Sequence, residues 1–135
     1  MSAPDSGLLD TSVFIAREEG RALGGLPQRV AVSVVTIGEL QLGVMAARDD
    51  RARARRADTL ALAKTADPIP VSEAVMLGWA RLVADCRRAG IQRTVKLTDA
   101  LIAATAVEHG LAVVTQDQDF AEIALAHPAL QVLTV

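Results

Sequence analysis

Residues 7–16 read GLLDTSVFIA, and the way this stretch divides decides the fold. GLL is short and apolar, as the end of a buried strand should be, whereas residues 11–19 carry helical spacing, so Asp10 stands at a strand-to-helix junction. The same switch recurs along the chain. VAVSV (30–34) precedes a helix at 36–47, IPV (69–71) precedes one at 73–89, and after a helix at 98–108 come LAVVT (111–115), a short helix at 120–126 and LQVLTV (130–135). Strands alternating with helices, and strands that are nearly continuous apolar runs, predict a parallel sheet covered by helices on both faces. Gly24, Gly25 and Pro27, then Asp67 with Pro68, then Gly110, punctuate the returns between elements.

At 135 residues the chain suits one domain, residues 1–135, around a single core. Hydrophobic residues make up 51% of it and aromatics only 2%, so the core is built from Ala, Val, Leu and Ile, and aromatic platforms for stacked bases are not expected. The lone Cys86 has no partner for an internal disulfide, which fits a reducing compartment. No apolar run approaches the length of a membrane helix, and the start MSAPDSG has neither a basic nor an apolar export segment. A soluble, cytoplasmic protein without a membrane partner is expected.

In open parallel sheets, ligands bind beyond the carboxyl ends of the strands. Asp10 follows GLL, Glu39 falls in the expected first turn of the helix after VAVSV, Asp99 opens the helix LTDALIAATAV, and Asp117 and Asp119 follow LAVVT, so all five acids can reach one sheet edge. Any one of them is explained by the preference of carboxylates for helix N-termini. Glu39 between Ile37 and Leu40, and Asp99 beside Leu97, Ala100 and Leu101, nevertheless stand among residues that should be packed. A buried carboxylate is costly unless paired or metal-bound, and several together repel unless a cation neutralises them. Carboxylates without nearby His or Cys suit Mg²⁺, with Mn²⁺ as substitute, rather than Zn²⁺. The implied chemistry is phosphoryl transfer, in which two such ions about 4 Å apart activate a water and stabilise the leaving oxygen.

LLDTSVFIA, VVTIGELQLGV and LTDALIAATAVEHGLAVVTQDQDF, in this order and over nearly the whole chain, resemble the PIN-domain ribonucleases, and more narrowly the VapC-type toxins of bacterial toxin–antitoxin pairs. The resemblance implies a three-layer sandwich around a parallel sheet and Mg²⁺-dependent endonucleolytic cleavage of RNA. It places the family's acids on Asp10, Glu39, Asp99 and Asp117, with Asp119 as a fifth member or orienting neighbour. It matches Thr11, Ser12 and Thr115 to small hydroxyl positions that hold carboxylates or waters. It further implies a homodimer and a VapB-type antitoxin that blocks the site.

The run RDDRARARRAD (48–58), with Arg87, Arg88, Arg93 and Lys96, is read either as phosphate-gripping or as solvated helix faces; Arg93 and Lys96, just before Asp99, are the better candidates for RNA contact. The formal charge of −2 does not oppose this, because two divalent cations would invert its sign. His109 and His127 have no catalytic setting. Trp79 is spaced with Val75, Leu82 and Val83 as a core or subunit-interface residue, and Cys86 reads as a small buried hydrophobe.

Two other enzyme-like readings fail on single residues. A phosphoaccepting receiver needs paired acids after its first strand and a late lysine, yet Asp10 has no acidic neighbour and no lysine follows Lys96. A haloacid-dehalogenase-type phosphatase needs an acid where Ser12 stands. The remaining alternatives are a PIN-fold protein that occupies RNA without cutting it, against which the full set of acids argues, and a related deoxyribonuclease.

Overall fold

The structure is a computed structural model describing residues 5–135, so the reading of residues 1–4 lies outside it. Strand β1 (Ser6–Leu9) pairs in parallel with β2 (Arg29–Ala31) on one side and with β3 (Ala112–Thr115) on the other, and β4 (Val132–Thr134) extends the sheet beyond β3. The order β2-β1-β3-β4 puts the chain reversal between β1 and β3. Connections leave these two central strands in opposite directions, which opens a crevice at their carboxyl ends.

Successive residues of a strand face opposite sides, and here they sort into two cores. Leu8 and Val113 pack with Leu82, Cys86, Ile102, Phe120 and Ile123 on one face, whereas Leu9 and Val114 pack with Val13, Phe14, Leu40, Leu60 and Ala63 on the other. The first face is covered by α4 (Glu73–Arg88), α5 (Leu97–Glu108) and α6 (Asp119–Ala126), the second by α1 (Thr11–Glu18), α2 (Val34–Met45) and α3 (Asp50–Lys64). This is the expected three-layer α/β sandwich. Each fully buried Leu or Ile of these faces contributes about 1.5–3 kcal/mol by leaving water. Gly7 lets the central strands approach, since a Cβ there would collide with the Val114 side chain.

Some boundaries differ from the sequence reading. VAVSV does not extend to Val34 as strand: the Ser33 hydroxyl accepts from Val35 N–H at 3.0 Å, and the helix starts at Val34, two residues before the expected Thr36. Glu39 therefore lies in the second turn of α2 instead of the first. IPV forms only an isolated bridge from Ile69 to Ser33, because Pro70 has no N–H with which to continue a ladder. The charge run at 48–58 builds most of α3, a helix absent from the expected alternation; Asp49 caps it by accepting from Ala52 N–H at 2.8 Å, and its inward residues are Thr59, Leu60 and Ala63. No described helix is long and apolar enough to cross a membrane.

Candidate metal centre

Asp10 leaves the end of β1 and caps α1, where its Oδ2 faces Ser12 N–H at 3.4 Å. Capping does not exhaust it. The same oxygen accepts from the Thr115 hydroxyl, at the end of β3, at 2.9 Å, and Asp10 is 96% buried (4% exposed). A hydroxyl has one proton to give, so with Thr115 committed to Asp10, the Ser12 hydroxyl 3.1 Å away is the donor to Thr115. Thr115 Oγ1 also receives Asp117 N–H at 2.8 Å, and Ser12 Oγ receives Gln116 N–H at 3.0 Å. Ser12 and Thr115 thus bind the strand ends that carry Asp10 and Asp117 into one hydrogen-bonded unit.

Glu39 is held separately. Its Oε1 accepts from the Thr11 hydroxyl at 2.7 Å, and Thr36 Oγ1 lies 3.2 Å from Thr11 Oγ1. The Thr11 hydroxyl is the donor in both contacts, shared between Glu39 Oε1 and Thr36 Oγ1. Thr36 is fully buried and was missed by the sequence reading, although its placement three residues before Glu39 on one helix face was a usable signal. Gln116 was missed as well: its side-chain amide donates to Ala22 O at 3.0 Å and to Val135 O at 3.2 Å, tying down the loop that carries Asp117.

Asp99, in the first turn of α5, completes the arrangement. Carboxylate oxygens of Asp99, Asp117 and Asp119 lie within 4.8 Å of one another, and Asp117 Oδ1 accepts from Asp119 N–H at 3.0 Å. Asp10 and Glu39 fall outside that tight trio yet near enough for their charges to act on Asp99. Burial first, then the charges of Asp10, Asp117 and Glu39, push the Asp99 carboxyl up to about 7, against an opposing effect from Lys96. Asp99 Oδ2 is buried with no hydrogen-bond partner among the described residues. An all-oxygen donor set with one orphaned buried oxygen fits a hard divalent cation, and the trio could hold one.

The two cations predicted to meet RNA are placed differently. Lys96 is the exposed residue preceding α5, and its charge is felt at Asp99. Arg93 is exposed in the turn between α4 and α5, without an ion pair to any acid of the cluster among the described residues. His127 instead contacts Asp85 of α4, Nδ1 to Oδ2, at 2.7 Å. Trp79 is half-buried against the α4–α5 core and Cys86 is buried, as read from the sequence.

The profile of the family described as PIN domain matches residues 7–125. Ribonuclease VapC8 of Mycobacterium tuberculosis is 75% identical over 100 residues, covering 74% of this chain and 89% of that protein. Ribonuclease VapC4 of the same species is 46% identical over 133 residues, 95% of both chains. Among solved structures, the crystal structure of VapBC-5, a member of the VapBC family of toxin–antitoxin systems from M. tuberculosis, superposes with a TM-score of 0.86 at 38% identity over 98% of this chain and 100% of that one. Matched over its sheet, its acid-bearing loops and nearly its whole length, the chain belongs to the PIN-domain family, alongside its VapC members.

Proposed function

We propose that this chain is a divalent-metal-dependent endoribonuclease, the toxin of a toxin–antitoxin pair. The observation that carries the reading is Asp99: a buried carboxylate with an unpartnered oxygen, facing four other acids at the carboxyl edge of the sheet. Names among the relatives, Ribonuclease VapC8 and Ribonuclease VapC4, support the same activity. Mg²⁺ is the ion the all-carboxylate site suits, with Mn²⁺ as substitute.

A bound ion of this kind lowers the pKa of an attacking water and neutralises charge building on the phosphodiester. Asp99, Asp117 and Asp119 are placed to hold it, and Asp10 and Glu39, outside that trio, complete the acidic site. Ser12 and Thr115 fix Asp10 and the Asp117 loop, and Thr11 fixes Glu39, so the acids need little reordering when substrate arrives. Lys96, with Arg93 further out, gives the polyanion a positive approach to an acidic cleft.

The partner expected from the relatives is a VapB-type antitoxin, as in the VapBC-5 complex. A homodimer has its support in apolar side chains left in water on α4 and at the start of α5, where Leu77 is 56% and Leu97 62% exposed. Leu77→Asp should then shift the sedimentation coefficient to that of a monomer; an unchanged coefficient removes this face from any dimer. The cytoplasm is the compartment that fits RNA as substrate and Cys86 as a free thiol.

Water attack does not use the ribose 2′-hydroxyl. Purified protein should therefore cut an RNA carrying a single 2′-deoxynucleotide at its cleavage site, and chelator should stop the reaction. Cutting that survives chelator and ceases on 2′-deoxy substitution would refute the mechanism, whereas RNA binding without cutting in Mg²⁺ or Mn²⁺ would favour the binding-only alternative.

A further inference from the structure

A cavity of about 290 Å³ opens beside the candidate metal centre, between α1, α2 and α3, with Thr11 and Glu39 forming the end shared by both. Its apolar walls come from Ile15 and Leu40, and it is lined by two opposed charges, Glu18 on α1 and Arg56 on α3. Each charge is anchored by a third group. Glu18 Oε1 accepts from the Thr59 hydroxyl at 2.8 Å, and Arg56 Nη1 donates to Gly43 O at 2.7 Å. No ion pair joins Glu18 to Arg56 among the described residues, although they line one cavity. Oppositely charged groups held apart in this way leave an acceptor pair and a donor fork facing a shared space.

The remaining acids of this cavity are already engaged. Glu19 pairs with Arg21 at 3.3 Å, and Glu39 is bound by Thr11 and assigned above to the metal. What is left is one carboxylate and one guanidinium, a balance that suits a neutral ligand rich in both donors and acceptors. A cationic side chain from a peptide would meet Arg56, and a phosphate would meet Glu18. Resting on the reading of the chain as an RNA-cleaving enzyme, we propose that this cavity is a guanine subsite, receiving an unstacked base next to the scissile phosphate. Guanine offers two adjacent donors, N1–H and the N2 amino group, to the carboxylate of Glu18, and presents O6 and N7 to the fork of Arg56 on the other edge of the ring. Adenine and the pyrimidines lack the paired donors. Ile15 and Leu40 supply apolar contact for the ring faces.

The test is binding of fluorescent single-stranded oligouridylates carrying one guanosine, inosine, adenosine or cytidine, in Mg²⁺, to the full-length chain bearing Asp99→Asn, which leaves the cavity's own residues in place. Guanosine should bind about tenfold or more tighter than cytidine or adenosine, with inosine, which lacks the N2 amino group, in between. Adding Glu18→Gln should erase the difference between guanosine and inosine, and adding Arg56→Gln should erase the preference for both over cytidine. No guanosine preference, or one that Glu18→Gln leaves intact, overturns the proposal. So does a Glu18→Gln effect confined to binding of a Lys- and Arg-rich peptide, which would make the cavity a protein-docking site. Cleavage by the unsubstituted chain is read separately. Guanosine-selective binding without metal-dependent cutting defeats the nuclease reading and leaves the subsite standing, whereas cutting without base preference does the reverse.

Discussion

Asp99 sits where a negative charge is hardest to keep, buried at the start of α5 with Asp10, Asp117 and Glu39 acting on it. Its carboxyl titrates at about 7 in the metal-free fold, against about 3.9 for an aspartate in an unfolded chain. The folded state therefore holds the proton more tightly. This contribution to stability is fully present below about pH 4 and is lost as pH rises through 7. The metal-free protein should accordingly lose thermal stability between about pH 5 and pH 8, and Asp99→Asn, which carries no charge to expel, should flatten that slope; parallel slopes for the two proteins would show that the charge of Asp99 is not the cause. Thr115 poses the complementary question of what holds the ligands. It donates to Asp10 and accepts from Asp117 N–H, so Thr115→Val should weaken Mn²⁺ binding by about 10–100-fold, while Thr115→Ser retains most of it. Equal Mn²⁺ affinities in calorimetry would reduce Thr115 to a packing role. Thr11, Ser12 and Thr115 were legible as hydroxyls beside acids; Thr36 carried only its helix spacing to Glu39, and Gln116 was not legible, because its partners lie across the fold and no local pattern marks a hydrogen bond to a distant element.

At the scale of elements, β1, β3 and α5 could be read directly. Their apolar runs are buried on all sides or along most of the helix, so composition alone distinguishes them. Elements at the edge of the structure were harder. β2 is an edge strand of three residues that are exposed or half-buried, and Ser33 ends it by capping α2, a side-chain choice that outweighs the β-propensity of Val34. The run at 48–58 reads as solvated helix faces, but the packing of α3 was hidden, because its buried residues, Thr59, Leu60 and Ala63, fall in its last two turns. The cavity between α1, α2 and α3 was hidden with it. Gly7 shows how tightly the central pair is set: Gly7→Ala pushes a methyl group into Val114 and should cost about 1–3 kcal/mol in chemical denaturation, whereas a loss near zero would mean that β1 and β3 can separate without penalty.

Across the whole molecule, the strand order puts β1 and β3 side by side and sends their connections apart, which gathers acids from positions 10, 39, 99, 117 and 119 at one rim. That gathering was legible because strand ends bearing acids recur along the sequence. The detailed partition, with Asp99, Asp117 and Asp119 closest together and Asp10 tied to Thr115, depends on side-chain packing that spacing does not encode. The formal charge of −2 also gave little warning of a polyanionic substrate, because a net charge does not record that five of the 16 acids gather at one rim. The most direct test compares the folded chain with Asp99→Asn on total cellular RNA, in Mg²⁺, in Mn²⁺ and in chelator, with the products end-sequenced. Discrete cuts that require the metal and fall by about 100-fold or more in Asp99→Asn are the predicted result; cuts that persist in chelator, or undiminished cutting by the variant, would contradict the assignment of the acids to a catalytic metal.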